Sequence, residues 1–192
     1  IKVSKMKEPR GRTRFLSEEE RMKLLAACRN SRHPYLYLVV VLCLSTGARK
    51  MEILGLTWKD IDMERKVITL HETKNGERRL LPLAGHALEL IQEHAKTIDI
   101  KGGLVFPTKN KDRPSGIRSS WKKALKQAKI SDFRFHDLRH SAASYLAMNG
   151  ASMAEIAEVL GHKTLNMVKR YAHLSEAHTA KIVESMNRRI FG

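Results

Sequence analysis

The sequence predicts a mainly helical fold with one small antiparallel sheet. Over most of the chain, apolar residues recur at helical spacing between capping residues and glycines. One region has strand-like segments instead, at 67–70 and 78–83, and these flank Asn75-Gly76, a pair typical of two-residue hairpins. The 192 residues, of which 42% are hydrophobic, suffice for one domain with a sizeable core.

The first 14 residues are predicted to be a basic arm or inter-domain linker ahead of a folded domain at 15–192. They hold six basic residues and one acid, together with Pro9 and Gly11. Three helices are expected next. Ser17 opens the first one with a capping box, a nearly all-apolar second helix ends at Gly47, and residues 49–55 form a short third helix.

The second half of the domain is predicted to be helical apart from a short extra strand at 104–106. Helices are expected at 85–96 and 118–129, and from Asp137 onward one helix follows another. A short helix capped by Thr164 is predicted to carry Tyr171. The last helix, at about 175–189, has an apolar face that includes Ile182, Val183 and Met186.

The charge balance indicates a polyanionic partner. Lys and Arg total 36 against 20 for Asp and Glu, a net charge of +16, which suits nucleic acid or an anionic membrane surface, with a merely solvated surface as the alternative. The longest apolar run has ten residues, whereas a membrane span needs about 20. Cys28 and Cys43 lack metal-site spacing and are predicted to be reduced core residues of a cytoplasmic protein.

Six side chains near the ends of predicted elements combine into a set that suits a phosphodiester: Arg49, Lys74, His136, Arg139, His162 and Tyr171. Arginine forks bind the non-bridging oxygens on which the transition state of phosphoryl transfer gathers negative charge. A tyrosine phenol, with an ordinary pKa of about 10, is a weak nucleophile until a base such as histidine takes its proton. A lysine can donate a proton to the leaving oxygen.

Neither a metal ion nor another cofactor is expected. No acidic cluster with Mg²⁺-ligand spacing accompanies the six residues. His136 and His140 do have a zinc-ligand spacing, but Arg139 lies between them and opposes a cation, and no Glu follows His136. The basic groups are therefore expected to supply the charge stabilisation.

Five stretches occur in order along the chain: TGARKMEILGL, TKNGERRLLPL, FHDLRHSAASYLAMNG, LGHKT and KRYAHL. Together they resemble the boxes of the tyrosine recombinase (phage integrase) family, over nearly the whole chain from Leu16 to about Leu174. The resemblance implies the fold of that family's catalytic domain. It also implies a site-specific DNA recombinase that cleaves and rejoins strands through a 3′-phosphotyrosine intermediate, without ATP or metal.

The resemblance also implies roles for single residues. Arg49 and Arg139 would bind the scissile phosphate, and His162 would hydrogen-bond it. Lys74 would act as general acid on the 5′-oxygen. Tyr171 would be the nucleophile.

Three further residues would assist. His136 would accept or orient the tyrosine proton. Glu52 resembles a supporting acid that orients its neighbours, and His140 matches the family box but is expected to be structural.

The partner implied by the resemblance is double-stranded DNA. Four protomers would act on two duplexes, as a homotetramer on DNA that is a monomer when free, with the last helix docking either on a neighbouring protomer or on its own domain. A core-binding domain, absent from this chain, would lie upstream, and a bacterium, phage or mobile element would encode the protein. Phosphate contacts are expected from Arg10, Arg12, Arg14, Arg118, Lys122 and Lys123.

Two other functions compete with this interpretation. Residues 152–173 are close to the first half of a helix-turn-helix, so the chain could be a non-catalytic DNA-binding regulator. That class explains the charge but not Arg49, Lys74 or the HDLRH stretch. A type IB topoisomerase would share the chemistry without partner exchange, but the short domain and the C-terminal helix favour a recombinase.

Overall fold

The computed structural model describes residues 14–71, 78–97, 103–110 and 113–192 and confirms the mainly helical fold. The helices in these ranges are α1 (Glu18–Arg29), α2 (Leu36–Thr46), α3 (Lys50–Leu54), α4 (Gly85–Thr97), α5 (Arg118–Gln127), α6 (Asp137–Met148), α7 (Met153–Leu160) and α8 (Glu176–Phe191). The sheet in the described part of the chain consists of β1 (Ile61–Asp62), β2 (Val67–Leu70) and β3 (Arg79–Pro82). Short 3₁₀ helices lie at Trp58–Asp60, Leu165–Met167 and Lys169–Ser175.

The sheet is antiparallel, in the order β1-β2-β3, and its middle strand pairs Ile68 with Leu81. Side chains alternate between the two faces of a strand, and on β3 this puts Arg79 on the same buried face as Leu81. The predicted turn Asn75-Gly76 lies outside the described residues, as does Lys74. The strand β1 was not predicted.

The predicted extra strand at 104–106 is wrong. Leu104 makes only an isolated bridge to Thr57, and a second isolated bridge joins Pro107 to Pro114. Proline has no N–H to donate to a ladder, so strand pairing does not extend through this segment.

The main core surrounds α2, which is buried on nearly all sides and contacts α1, α3, α4 and α6. Cys28 and Cys43 are buried and free, as predicted, and burial raises the pKa of Cys28 to about 12. A second cluster joins α6 and α7 to the 3₁₀ segments that follow. Because α6 is covered on both sides, its buried positions are mostly small residues: Ser141, Ala142, Ala143, Ser144 and Ala147.

The predicted helix ends are mostly confirmed. The Ser17–Glu20 capping box starts α1, and Gly47 ends α2 in the left-handed conformation. The predicted cap at Thr164 is wrong, since its side chain makes no capping hydrogen bond and Leu165–Met167 is a separate 3₁₀ turn. Tyr171 lies on the next 3₁₀ helix instead. No helix in the described ranges is long and apolar enough to cross a membrane.

Candidate active site

Five of the residues singled out by the sequence line one cavity of about 200 Å³. Three of them come from the start of α6, as its N-cap and two residues of its first turn. The segment after α7 contributes the others, because the 3₁₀ helix Lys169–Ser175 packs directly on α6. Met167 and Arg170 complete the lining, which therefore consists of His136, Arg139, His140, His162, Met167, Arg170 and Tyr171. Positive and neutral nitrogen groups thus surround a single phenol.

Arg139 is buried, and two backbone carbonyls hold its guanidinium. Nη1 donates to Gly47 O at 2.7 Å, and Nη2 donates to Leu160 O. Both carbonyls lie at helix C-terminal ends, of α2 and α7, where the helix dipole is negative and favours a cation. Burial, followed by the charges of Arg49 and Arg79, lowers the pKa of Arg139 to about 10, so the side chain stays positive at neutral pH.

Glu52 links two arginines beside this cavity. Its carboxylate accepts from Arg49 through the backbone N–H at 2.7 Å and through Nη1 at 2.6 Å, and from Arg79 Nη2 at 3.1 Å. Burial acts to raise the pKa of Glu52, but the hydrogen bonds from Arg49 and the charges of both arginines outweigh it and lower the pKa. The carboxylate therefore stays ionised and fixes the Arg49 side chain.

Arg79 was missed by the sequence interpretation. It is buried and donates both to Glu52 and to Leu160 O, the same carbonyl that Arg139 uses. One acceptor thereby joins β3, α6 and α7. One sequence feature could have revealed it. Arg79 lies two residues before Leu81 on a strand, so both side chains point to the same inward face, where a charge is expected only if it is paired.

Tyr171 has only 2% of its surface exposed, and its hydroxyl lies 2.5 Å from His140 Nδ1. His136, expected to meet this hydroxyl, instead places its ring edge-on to the His140 ring, with centroids 5.4 Å apart. Burial raises the pKa of Tyr171, although the charges of Arg170 and Arg139 partly oppose this. The phenol is therefore protonated at neutral pH in the free protein.

His140 and His162 are neutral at physiological pH. Burial is the main reason that the pKa of His162 and that of His140 are both lowered to about 4, and nearby positive charge adds to it in each case. Among the described residues, His162 Nδ1 is buried without a hydrogen-bond partner. An unpaired buried polar atom is unusual in a folded protein and fits a site that receives a ligand.

The residues predicted to bind DNA phosphates are placed differently from one another. Arg118, Lys122 and Lys123 are exposed on the outer face of α5. Arg14 forms an ion pair with Glu20, with Nη1 at 2.9 Å from Oε2, and stacks over the Phe133 ring. Arg10 and Arg12 lie outside the described residues.

In the part of the chain that the structure describes, no three His, Cys, Asp or Glu side chains are grouped to hold a metal.

Comparison with known proteins identifies the family. The model of the phage integrase family matches residues 14–178. The chain belongs to the phage integrase family. A shufflon-specific DNA recombinase of Escherichia coli is 36% identical over 90% of this chain and 43% of its own length. The integrase of Salmonella phage P22 is 34% identical over 99% of this chain and 51% of its own length. The chain thus spans about half the length of these curated relatives.

A solved structure of a family member supports the fold directly. The catalytic domain of the phage HP1 integrase superposes with a TM-score of 0.72 at 33% identity, covering 88% of this chain and 93% of that domain. The chain therefore has the fold of the catalytic domain of a tyrosine recombinase. The match to the phage integrase family includes the segment 152–173, so neither the helix-turn-helix regulator nor the type IB topoisomerase is favoured.

Gly161→Ala is expected to destabilise the domain by about 1–3 kcal/mol, because the residue has a left-handed φ of 63°. An added Cβ would also lie 2.6 Å from Arg79 Nη1. Urea unfolding measures the change. Gly116→Ala is the matched control, since its Cβ would meet no atom within 4 Å. Equal stability of the two variants would contradict the close packing of Arg79 on the α7 terminus.

Proposed function

We propose that this chain is the catalytic domain of a site-specific recombinase that cleaves and rejoins double-stranded DNA through a 3′-phosphotyrosine bond at Tyr171. One observation carries the proposal: the Tyr171 hydroxyl lies in the same cavity as Arg139, His136 and His162. A nucleophile and the donors for a phosphate are thus assembled at one place, as in-line attack on a phosphodiester requires.

The site residues act on the scissile phosphate in this proposal. Arg139, held by two carbonyls, and Arg49, held by Glu52, present fixed guanidinium groups to the non-bridging oxygens. Preorganised donors stabilise the transition state without reorganising during the reaction. His162 adds a hydrogen bond, and Lys74, outside the described residues, is proposed to protonate the 5′-oxygen.

Rejoining reverses the same step. The phosphotyrosine ester conserves the energy of the broken DNA bond, so a free 5′-hydroxyl on the same strand or another can attack it. Neither ATP nor a metal ion is required by this scheme, because the arginines carry the charge stabilisation.

DNA binding is proposed to involve the outer face of α5. Arg118, Lys122 and Lys123 are exposed there, and such contacts to phosphates provide affinity with little sequence information. The arm at 1–14 is proposed to be a linker along the DNA, and its Arg14 would have to exchange Glu20 for phosphate.

Assembly on DNA is proposed to be tetrameric, with monomers in the absence of DNA. The apolar face of α8 supports docking on a neighbouring protomer rather than on its own domain, because Ile182 is 54% and Met186 49% exposed. Light scattering with and without DNA would measure the assembly state. A location in the bacterial cytoplasm is part of the same proposal, whether a bacterium, a phage or a mobile element encodes the protein.

Covalent capture tests the proposed function. A pool of nicked duplexes with randomised sequence is incubated with the protein in EDTA, and denaturing gels separate DNA that has become attached. A nick next to the cleavage site releases a short fragment and traps the phosphotyrosine. We expect an adduct in EDTA, whose sequence reveals the target. An adduct that forms only after Mg²⁺ is added would contradict the mechanism.

A further inference from the structure

We propose that His140, rather than His136, takes the proton of Tyr171 during cleavage and returns it during rejoining. This inference rests on the proposed function and assigns a catalytic role to a residue that the family resemblance marks only as supporting. It starts from the contact between the nucleophilic oxygen and an imidazole nitrogen.

His136, the N-cap of α6, and His140 lie one helical turn apart, and both line the cavity that holds Tyr171. The structure places His140 Nδ1 2.5 Å from the Tyr171 hydroxyl, a distance at which a proton passes directly between heavy atoms. The His136 ring lies edge-on to the His140 ring instead. Within the described part of the chain, His140 is thus the hydrogen-bond partner of the nucleophile.

His140 is in the protonation state that a base needs. Burial, and next the neighbouring His136, lowers its pKa to about 4, so the ring is neutral at physiological pH. With the remaining ring hydrogen on Nε2, Nδ1 has a free lone pair and the Tyr171 hydroxyl donates to it. The buried phenol keeps its proton until another charge changes this balance.

The scissile phosphate supplies that charge. The positive groups Arg170 and Arg139 contribute to the weak basicity of His140, and both line the cavity that a phosphate would enter. A phosphate anion at this place offsets their effect and favours an imidazolium beside it. The free protein therefore holds an inert nucleophile, and DNA binding activates it.

The step balances as follows. The Tyr171 oxygen forms a bond to phosphorus while its proton moves to His140 Nδ1, giving an imidazolium. The bond from phosphorus to the 5′-oxygen breaks, and that oxygen receives a proton from the general acid proposed at Lys74. In rejoining, the 5′-oxygen forms its bond to phosphorus as its proton returns to Lys74. The bond from phosphorus to the Tyr171 oxygen breaks, and His140 returns its proton to the departing phenolate.

The experiment compares three variants of the full chain on a DNA sequence that covalent capture has identified as a target. His140→Ala removes the base, and His140→Asn keeps an amide oxygen that accepts a hydrogen bond but is not basic. His86→Ala is the matched control, because it removes another histidine–tyrosine hydrogen bond, of 2.9 Å, between His86 Nε2 and Tyr37. Single-turnover cleavage and DNA binding are measured for each.

We expect both His140 variants to bind DNA normally and to cleave roughly 10²–10⁴-fold more slowly, with no change in His86→Ala. In each His140 variant, difluorotyrosine is then placed at position 171 and at no other tyrosine. This more acidic phenol should restore at least part of the lost rate in both variants. A DNA substrate with a 5′-phosphorothiolate has a leaving group that needs no general acid. This substrate should not restore the lost rate.

Three results would overturn the proposal. They are cleavage by His140→Ala within tenfold of the unmodified chain, full activity of His140→Asn, which would indicate positioning alone, and failure of difluorotyrosine to speed either variant. In each case an adduct formed by the unmodified chain leaves the proposed function standing. Absence of that adduct would refute the proposed function instead.

Discussion

Tyr171→Phe is expected to abolish covalent attachment to DNA and to leave DNA binding nearly intact. Only the hydroxyl is lost, and it is the atom proposed to form the bond to phosphorus. The ring, which packs in the cluster between α6 and α7, remains in place. His140 Nδ1 loses its partner. Because this acceptor is only partly buried, the loss costs at most about 1–3 kcal/mol, and the variant should remain folded.

The measurement is the covalent adduct on a denaturing gel, with DNA binding followed in parallel by gel shift. Tyr37→Phe is the matched control. The Tyr37 hydroxyl also forms a hydrogen bond with a histidine, His86, and neither residue lines the cavity. We expect the control to form the adduct at the normal rate. An adduct that persists in Tyr171→Phe would mean that another residue is the nucleophile.

Arg139→Ala is expected to slow cleavage by roughly 10³-fold or more, the size of effect seen when an arginine that stabilises phosphoryl transfer is removed. The structure gives the reason. Two carbonyls fix the guanidinium in a buried position, so its charge is preorganised beside Tyr171. Lysine is a point charge without the planar fork, so Arg139→Lys should recover only part of the rate.

A loss of folding must be separated from a loss of catalysis in this experiment. Arg139→Ala leaves Gly47 O without its donor, whereas Leu160 O keeps Arg79. Stability is measured by urea unfolding, and Arg65→Ala, in the exposed turn between β1 and β2, is the control. A folded Arg139→Ala protein that cleaves within tenfold of the unmodified chain would exclude a transition-state role.

Local signals explain why much of the fold follows from the sequence. The capping box at Ser17 and the glycine at 47 act within a few residues, and the structure has the helix ends there. The strand at 104–106 and the Thr164 cap failed because each depends on its surroundings. A short apolar run pairs only if a partner strand reaches it, and Pro107 and Pro114 limit that pairing.

The sequence by itself determined the family, the mainly helical fold and the chemical groups of the site, because ordered motifs and helical periodicity are properties of the chain. Only the tertiary structure decided how those groups meet. Helical spacing puts His136 and His140 on one face, and the packing of the segment with Tyr171 selects His140. In the same way, alternation along β3 leaves two possible faces, and the contact with α7 makes Arg79 a buried partner of Glu52 and Leu160. Sequence patterns act over one or two turns, whereas these choices depend on contacts between residues far apart in the chain.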